Sequence, residues 1–128
     1  MDVRLKNNVQ HTEEGCRPIR EILGLVGDKW SLLLIGILAG GTRRFSELHH
    51  SIEGISQRML TRTLRELERC GLVTRTVKPT VPPSVYYDLT QTGRMLLEPV
   101  KGLTEWARDN YDAIQRSKAA YDSRTDDI

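Results

Sequence analysis

A mainly helical fold with one small β-hairpin is predicted for this 128-residue chain. Three observations predict it. Apolar residues recur three and four apart over most of the chain, and only Leu72 to Leu89 changes texture, to Val, Thr and Tyr with alternation at Val85, Tyr87 and Leu89. Within that stretch Pro79, Pro82 and Pro83 lack the N–H that a ladder needs, so they mark a hairpin tip.

Residues 1–15 are polar and aperiodic and read as a flexible N-terminal arm. Pro18 suits a helix's first turn, and a helix from there to Val26 aligns Ile19, Ile22, Leu23 and Val26 before Gly27 stops it. Asp28 is the expected N-cap of a helix that is apolar nearly all round, Trp30 to Leu38, and therefore central. Gly40 and Gly41 end it, Thr42 to Phe45 can add a short strand, and Ser46 is placed to cap a brief helix ending at Ile52, with Leu48 and Ile52 inward. Gly54-Ile55 then turns the chain, Ser56 caps a helix to Cys70, and Gly71 closes it. Helix, short turn, helix, then a hairpin with strands over 72–78 and 84–89 is the order of a winged helix-turn-helix. Thr90 caps a last helical region in which Leu96, Val100, Leu103, Ala107 and Ile114 share a face, with Pro99 kinking or restarting it. The expected organisation is an arm (1–15), a winged helix-turn-helix domain for DNA binding and dimerisation (16–114) and a polar tail (115–128).

The composition, 38% hydrophobic and 28% charged, is that of an ordinary globular protein. No stretch reads as a secretion signal or a membrane span, and two cysteines fit a reducing compartment, so the cytoplasm is expected and a membrane partner is not. Net charge is only +2, but its distribution is uneven. Thr42 to Pro79 holds eight basic against four acidic residues, whereas Glu98 to Ile128 holds five against seven, which suggests one face meeting a polyanion.

The helix after Ser56 carries the sharpest functional signal. At 100° per residue Arg62, Arg65 and Arg69 fall within roughly 40° of Arg58, while Leu60, Leu64 and Leu67 gather on the other side. Guanidinium groups neutralise phosphates and grip guanine edges, and Gln pairs with adenine. Gln57, Arg58, Thr61 and Arg62 are the expected base-reading residues, with Arg65 and Arg69 on phosphates. Arg75, Lys78 and Thr80 on the wing, and Arg43 and Arg44 before the first motif helix, are the expected flanking contacts to backbone or minor groove.

These motifs in order, Cys16-Arg17-Pro18, Gly27-Asp28-Lys29-Trp30, Arg43-Arg44-Phe45-Ser46-Glu47-Leu48, Gly54-Ile55-Ser56, Leu64-Arg65-Glu66-Leu67-Glu68, Gly71-Leu72-Val73 and Val81-Pro82-Pro83, resemble the HxlR-type regulators over about Cys16 to Trp106. The resemblance implies a homodimeric winged helix-turn-helix, MarR-like in shape, that dimerises through its first and last helices and binds double-stranded DNA. It also implies redox or electrophile sensing for Cys16, which matches the N-terminal cysteine through which some members sense oxidants or quinones. Cys16 is expected just ahead of a helix N-terminus and beside Arg17, a setting that favours a reactive sulfur. Cys70 reads as a small buried hydrophobe. Adjacent His49 and His50 point about 100° apart on a helix and do not chelate, so neither metal nor cofactor is expected. Trp30, Trp106 and Tyr111 read as core or interface aromatics. No nucleophile, base and orienter assemble, so the expectation is a transcription regulator, a repressor, and not an enzyme. Two alternatives stay open: the same DNA-binding fold controlled by a small ligand between the last helix and the core, and a winged helix that binds protein only.

Overall fold

The computed structural model describes residues 13–125. Helix α1 (Glu13–Val26) precedes α2 (Lys29–Leu38), β1 (Arg43–Arg44), α3 (Phe45–Ser51), α4 (Gln57–Arg69), β2 (Val73–Lys78), β3 (Ser84–Leu89), α5 (Gln91–Met95) and α6 (Leu97–Thr125). The three strands form one antiparallel sheet in the order β1-β3-β2. Two compact units divide between Arg94 and Met95.

Within the first unit, the caps read from the sequence explain the helix starts. Asp28 Oδ2 accepts from the backbone N–H groups of Trp30 and Ser31, at 3.2 and 3.1 Å, and so satisfies the exposed donors of α2. Ser56 Oγ does the same for Met59 N–H at 3.0 Å. Gly71, at φ +78°, adopts the left-handed conformation that ends α4, and Gly54, at φ +89°, makes the turn before it. Thr90 Oγ1 accepts from Gly93 N–H at 3.0 Å and donates to Gly71 O at 2.6 Å, which ties the start of α5 to the end of α4. Gly93 is buried there, and a Cβ on it would lie 2.2 Å from the Leu72 carbonyl oxygen, so only glycine fits that approach.

The core of this unit gathers Leu34, Ile35 and Leu38 of α2, Leu48 and Ile52 at α3, Leu60, Leu64 and Leu67 of α4, and Val73, Tyr87 and Leu89 of the sheet. The nearly all-apolar α2 is the central helix, packing on α1, α3, α4 and β3. Burying its branched side chains stabilises the unit by about 2 kcal/mol for each residue removed from water.

Several boundaries differ from the sequence expectation. Helix α1 begins at Glu13, so Pro18 lies inside it rather than at its first turn. Proline at that place has no N–H to donate to the carbonyl four residues back, and the helix continues through it. Residues 13–15 are therefore helical, and the remainder of the expected arm, 1–12, lies outside the described residues. The N-cap of α3 is Arg44, not Ser46; its N–H donates to Glu47 Oε1 at 2.7 Å, because the extended strand passes straight into the helix. The last helical region is two helices, α5 and α6, with Pro99 in the first turn of α6, where its fixed φ is helical. Helix α6 continues through Thr125 and so takes in most of the expected polar tail, 115–128, while residues 126–128 lie outside the described range. Its later turns hold Ala119 and Ala120 among Lys, Arg and Gln, all good helix formers. Among the described residues no helix is long and apolar enough to cross a membrane.

Candidate nucleic-acid interface

Helix α4 is oriented by its leucines. Leu60, Leu64 and Leu67 are 0, 1 and 0% exposed, so the opposite edge must face outward. Arg58, Arg62, Arg65 and Arg69 are all exposed on that edge, together with Gln57, and a shallow hollow runs along them with Thr61 and Glu66. Thr63 is buried and returns its hydroxyl to Met59 O at 2.9 Å, so it takes no part in the outward face.

The arginines on this edge are not equivalent. Arg69 donates twice to the Glu66 carboxylate, Nε to Oε1 at 3.1 Å and a terminal nitrogen to Oε2 at 2.8 Å. The paired guanidinium holds the Glu66 carboxyl below the usual carboxylate range, and Glu66 in turn raises Arg69. Arg58, Arg62 and Arg65 make no hydrogen bond or ion pair among the described residues, so their charges are available to an anion. Arg69 was expected as a phosphate contact; two of its five N–H donors are engaged by Glu66, a pairing that the i,i+3 spacing of the two residues makes legible in sequence.

Beside α4, Arg65 and Glu68 share a second hollow with Phe45, Thr61, Arg75, Val85 and Tyr87. Arg75 sits opposite Tyr87 in the β2–β3 register and therefore on the sheet face that carries buried Val73 and Leu89. It joins the α4 group rather than the wing tip. Arg43, also opposite Tyr87, donates to Thr42 O at 3.1 Å and lays its guanidinium over Gly40, where an added Cβ would meet it at 2.8 Å.

Arg44, Lys78 and Thr80 lie elsewhere on the wing. Arg44 and Lys78 are exposed, and both cations stand over the ring of Tyr86, which sequence reasoning did not single out. Thr80 uses its hydroxyl within the tip, donating to Pro82 O at 2.7 Å and lying 3.2 Å from Ser84 Oγ.

Of the two thiols, Cys16 is half-buried in the first turn of α1, not ahead of the helix, because the helix starts three residues before it. Cys70 is exposed rather than buried, a correction to the sequence reading: it is the C-cap of α4, and its Sγ donates to Glu66 Oε2 at 3.7 Å. The protein flanking the sulfur and the Glu66 charge push this thiol above its ordinary range. Trp106 and Tyr111 on α6, at 56 and 59% exposed, are not core residues of their own unit. Trp30 is half-buried, with Lys29 Nζ 4.7 Å above its ring.

Residues 25–115 match the family model of the HxlR-like helix-turn-helix. The HTH-type transcriptional regulator YybR of Bacillus subtilis strain 168 is 41% identical over 110 residues, which cover 86% of this chain and 87% of YybR. Among solved structures, the transcriptional regulator YtfH from Salmonella typhimurium aligns with a TM-score of 0.72 at 35% identity, over 80% of this chain and 91% of its own. The redox regulator HypR in its reduced form aligns with a TM-score of 0.72 at 40% identity, over 77% of this chain and 98% of its own.

Proposed function

The chain belongs to the HxlR-like helix-turn-helix family, and on that premise we propose that it is a DNA-binding transcriptional regulator that acts as a homodimeric repressor and answers to oxidants through Cys16. The observation that carries the reading is the outward edge of α4: three arginines without ionic partners among the described residues, with Gln57 and Thr61, on a helix fixed from behind by three fully buried leucines. Such a helix fits a major groove, where Gln57, Arg58, Thr61 and Arg62 read base edges and Arg65 neutralises phosphate. Arg75 supports the same group from the sheet.

Pairing of two chains is supported by exposed apolar residues on both terminal helices: Ile19, Ile22 and Leu23 on α1, and Leu103, Trp106, Tyr111 and Ile114 on α6. A dimer sets two α4 helices about 34 Å apart, one turn of B-DNA, on a near-palindromic operator. Redox control is supported by the likeness to HypR and by the half-buried thiol of Cys16 in the α1 first turn. The protein works in the cytoplasm, with neither cofactor nor catalysed reaction.

The test is binding to the duplex DNA upstream of its own gene across a NaCl series, with and without diamide, for the wild type, Cys16→Ser and Arg58→Ala/Arg62→Ala. Tight, salt-steep binding that the arginine variant loses by about a hundredfold bears out the α4 reading. Binding that diamide abolishes in the wild type and not in Cys16→Ser bears out the sensor. Binding indifferent to diamide removes Cys16 and leaves DNA reading intact; no binding at any salt, or equal binding by the arginine variant, overturns the whole.

A further inference from the structure

The register of the wing sorts its basic residues onto opposite faces of the sheet. Along β2, Val73 is buried, so Arg75 and Val77 share its inner face while Thr74, Thr76 and Lys78 occupy the outer one. Tyr86 pairs with Thr76 on one side and Arg44 on the other, which puts Arg44, Tyr86 and Lys78 on that same outer face, drawn from three different strands. Arg44 Cζ lies 5.9 Å and Lys78 Nζ 4.7 Å from the centre of the Tyr86 ring.

We propose that Arg44, Lys78 and Tyr86 form one phosphate clamp on the outer face of the wing, a second DNA-backbone site apart from the arginine edge of α4. The proposal rests on the reading that this chain binds DNA and adds a residue, Tyr86, and a division of labour to it. Two like charges gathered at one aromatic ring repel each other, and neither has an ion-pair partner among the described residues. Asp88 is the carboxylate next along that face of β3, and its Oδ1 accepts from the Thr42 hydroxyl. Two cations that no carboxylate among the described residues pairs suit an added anion, and an exposed pair on a wing suits the polyanion that the neighbouring helix already fits.

Tyr86 is the positioning residue. Its ring face attracts both cations and holds them at one place, so that ordering them is not left to the phosphate. Ser84 Oγ, 3.4 Å from the Arg44 guanidinium and 3.2 Å from Thr80 Oγ1, adds a hydroxyl at the rim. The sheet separates this group from Arg75 and Arg65, so the two sets meet different phosphates.

The experiment measures binding to a mixed-sequence 30-base-pair duplex by fluorescence anisotropy from 50 to 300 mM NaCl, because sequence-independent affinity reads phosphate contacts directly. The variants are Arg44→Gln, Lys78→Gln, their double, Tyr86→Phe, Tyr86→Leu, and Arg58→Ala/Arg62→Ala as the control for α4, each checked for native far-UV dichroism. One shared phosphate predicts that the double variant reduces the salt slope by about 0.9 per bound chain, each single giving part of it, whereas two independent contacts would give about 1.8. Tyr86→Phe binds as the wild type, and Tyr86→Leu, with both cations present, loses about threefold at 100 mM NaCl. A slope unchanged in the double variant, a loss of about 1.8, or Tyr86→Leu equal to wild type overturns the clamp. If the α4 control still weakens binding, DNA reading survives that result; if neither set matters, both readings fall. Should Tyr86→Leu not fold, the slope of the double variant decides alone.

Discussion

Helices α4 and α6 are both amphipathic, yet only one of them finds a use for its apolar side within its own unit. In α4 the leucines are sealed by α2 and β2, and the helix is held to a fixed roll angle. In α6 Leu103, Trp106, Tyr111 and Ile114 recur at helical spacing but remain 39 to 59% exposed. A helix that must present arginines in one direction needs a rigid seat, and the chain supplies it locally. A 29-residue helix with an uncovered apolar stripe is instead stabilised when something covers it, because most helical stability in proteins comes from packing of the apolar face. Orientation of the arginine edge is thus a property of one chain, whereas on the proposed dimer the spacing between two such edges would require another.

The sharpest way to break this contrast is to truncate each stripe. Leu64→Ala should destabilise the chain by about 3 kcal/mol, seen as a lower urea midpoint at unchanged slope, because it opens a cavity beneath α4. Trp106→Ala should leave the urea midpoint of the dilute chain nearly unchanged and instead weaken self-association about thirtyfold in sedimentation equilibrium, the effect of losing an interface aromatic. Equal loss of intrinsic stability in the two variants would show that α6 is held by its own chain.

A smaller change sharpens the same point at the start of α4. Ser56→Ala removes the acceptor of Met59 N–H and should cost about 1 kcal/mol of stability, measured by thermal and urea unfolding. Since the cap fixes where the helix begins, Gln57 and Arg58 should also lose order first, giving faster amide exchange there than at Leu64 or Leu67. Uniform exchange along α4 would mean that packing alone sets its ends.

These caps were legible because they depend on neighbours in sequence: Asp28 before Trp30, Ser56 before Met59, Gly71 after Cys70. The arginine and leucine edges of α4 were equally legible, since a single helix fixes their angles. What sequence reading lost was set by elements far apart. Arg75 and Lys78 look like one basic pair on a wing, but three positions along a strand reverse the face, and only the pairing with β3 shows which face is inner. Tyr86 gained its place through Arg44 of β1, forty-two residues earlier. Pro18 misled for another reason: proline is favoured at a helix start, yet here the helix begins five residues before it, at Glu13.

The smallest expected effect lies at the other end of α4, where Glu66 bonds both Arg69 and Cys70. Packing beside the sulfur and the Glu66 carboxylate both raise the Cys70 thiol, so its neutral form is favoured in the folded chain. With a raised value, that contribution is complete below the ordinary cysteine range and is lost as pH climbs through the raised one. An exposed cysteine should then react more slowly than its exposure implies. Glu66→Gln removes the charge and keeps the packing, so the thiolate should appear at a somewhat lower pH. In a Cys16→Ser background, iodoacetamide should modify Cys70 about twofold faster at pH 8.5 in Glu66→Gln than with Glu66 present. The same change releases Arg69, so affinity for duplex DNA should rise slightly and its salt slope steepen. Identical alkylation rates would show that Glu66 restrains neither neighbour, and that the last turn of α4, unlike its leucine face, is not held in place by the chain.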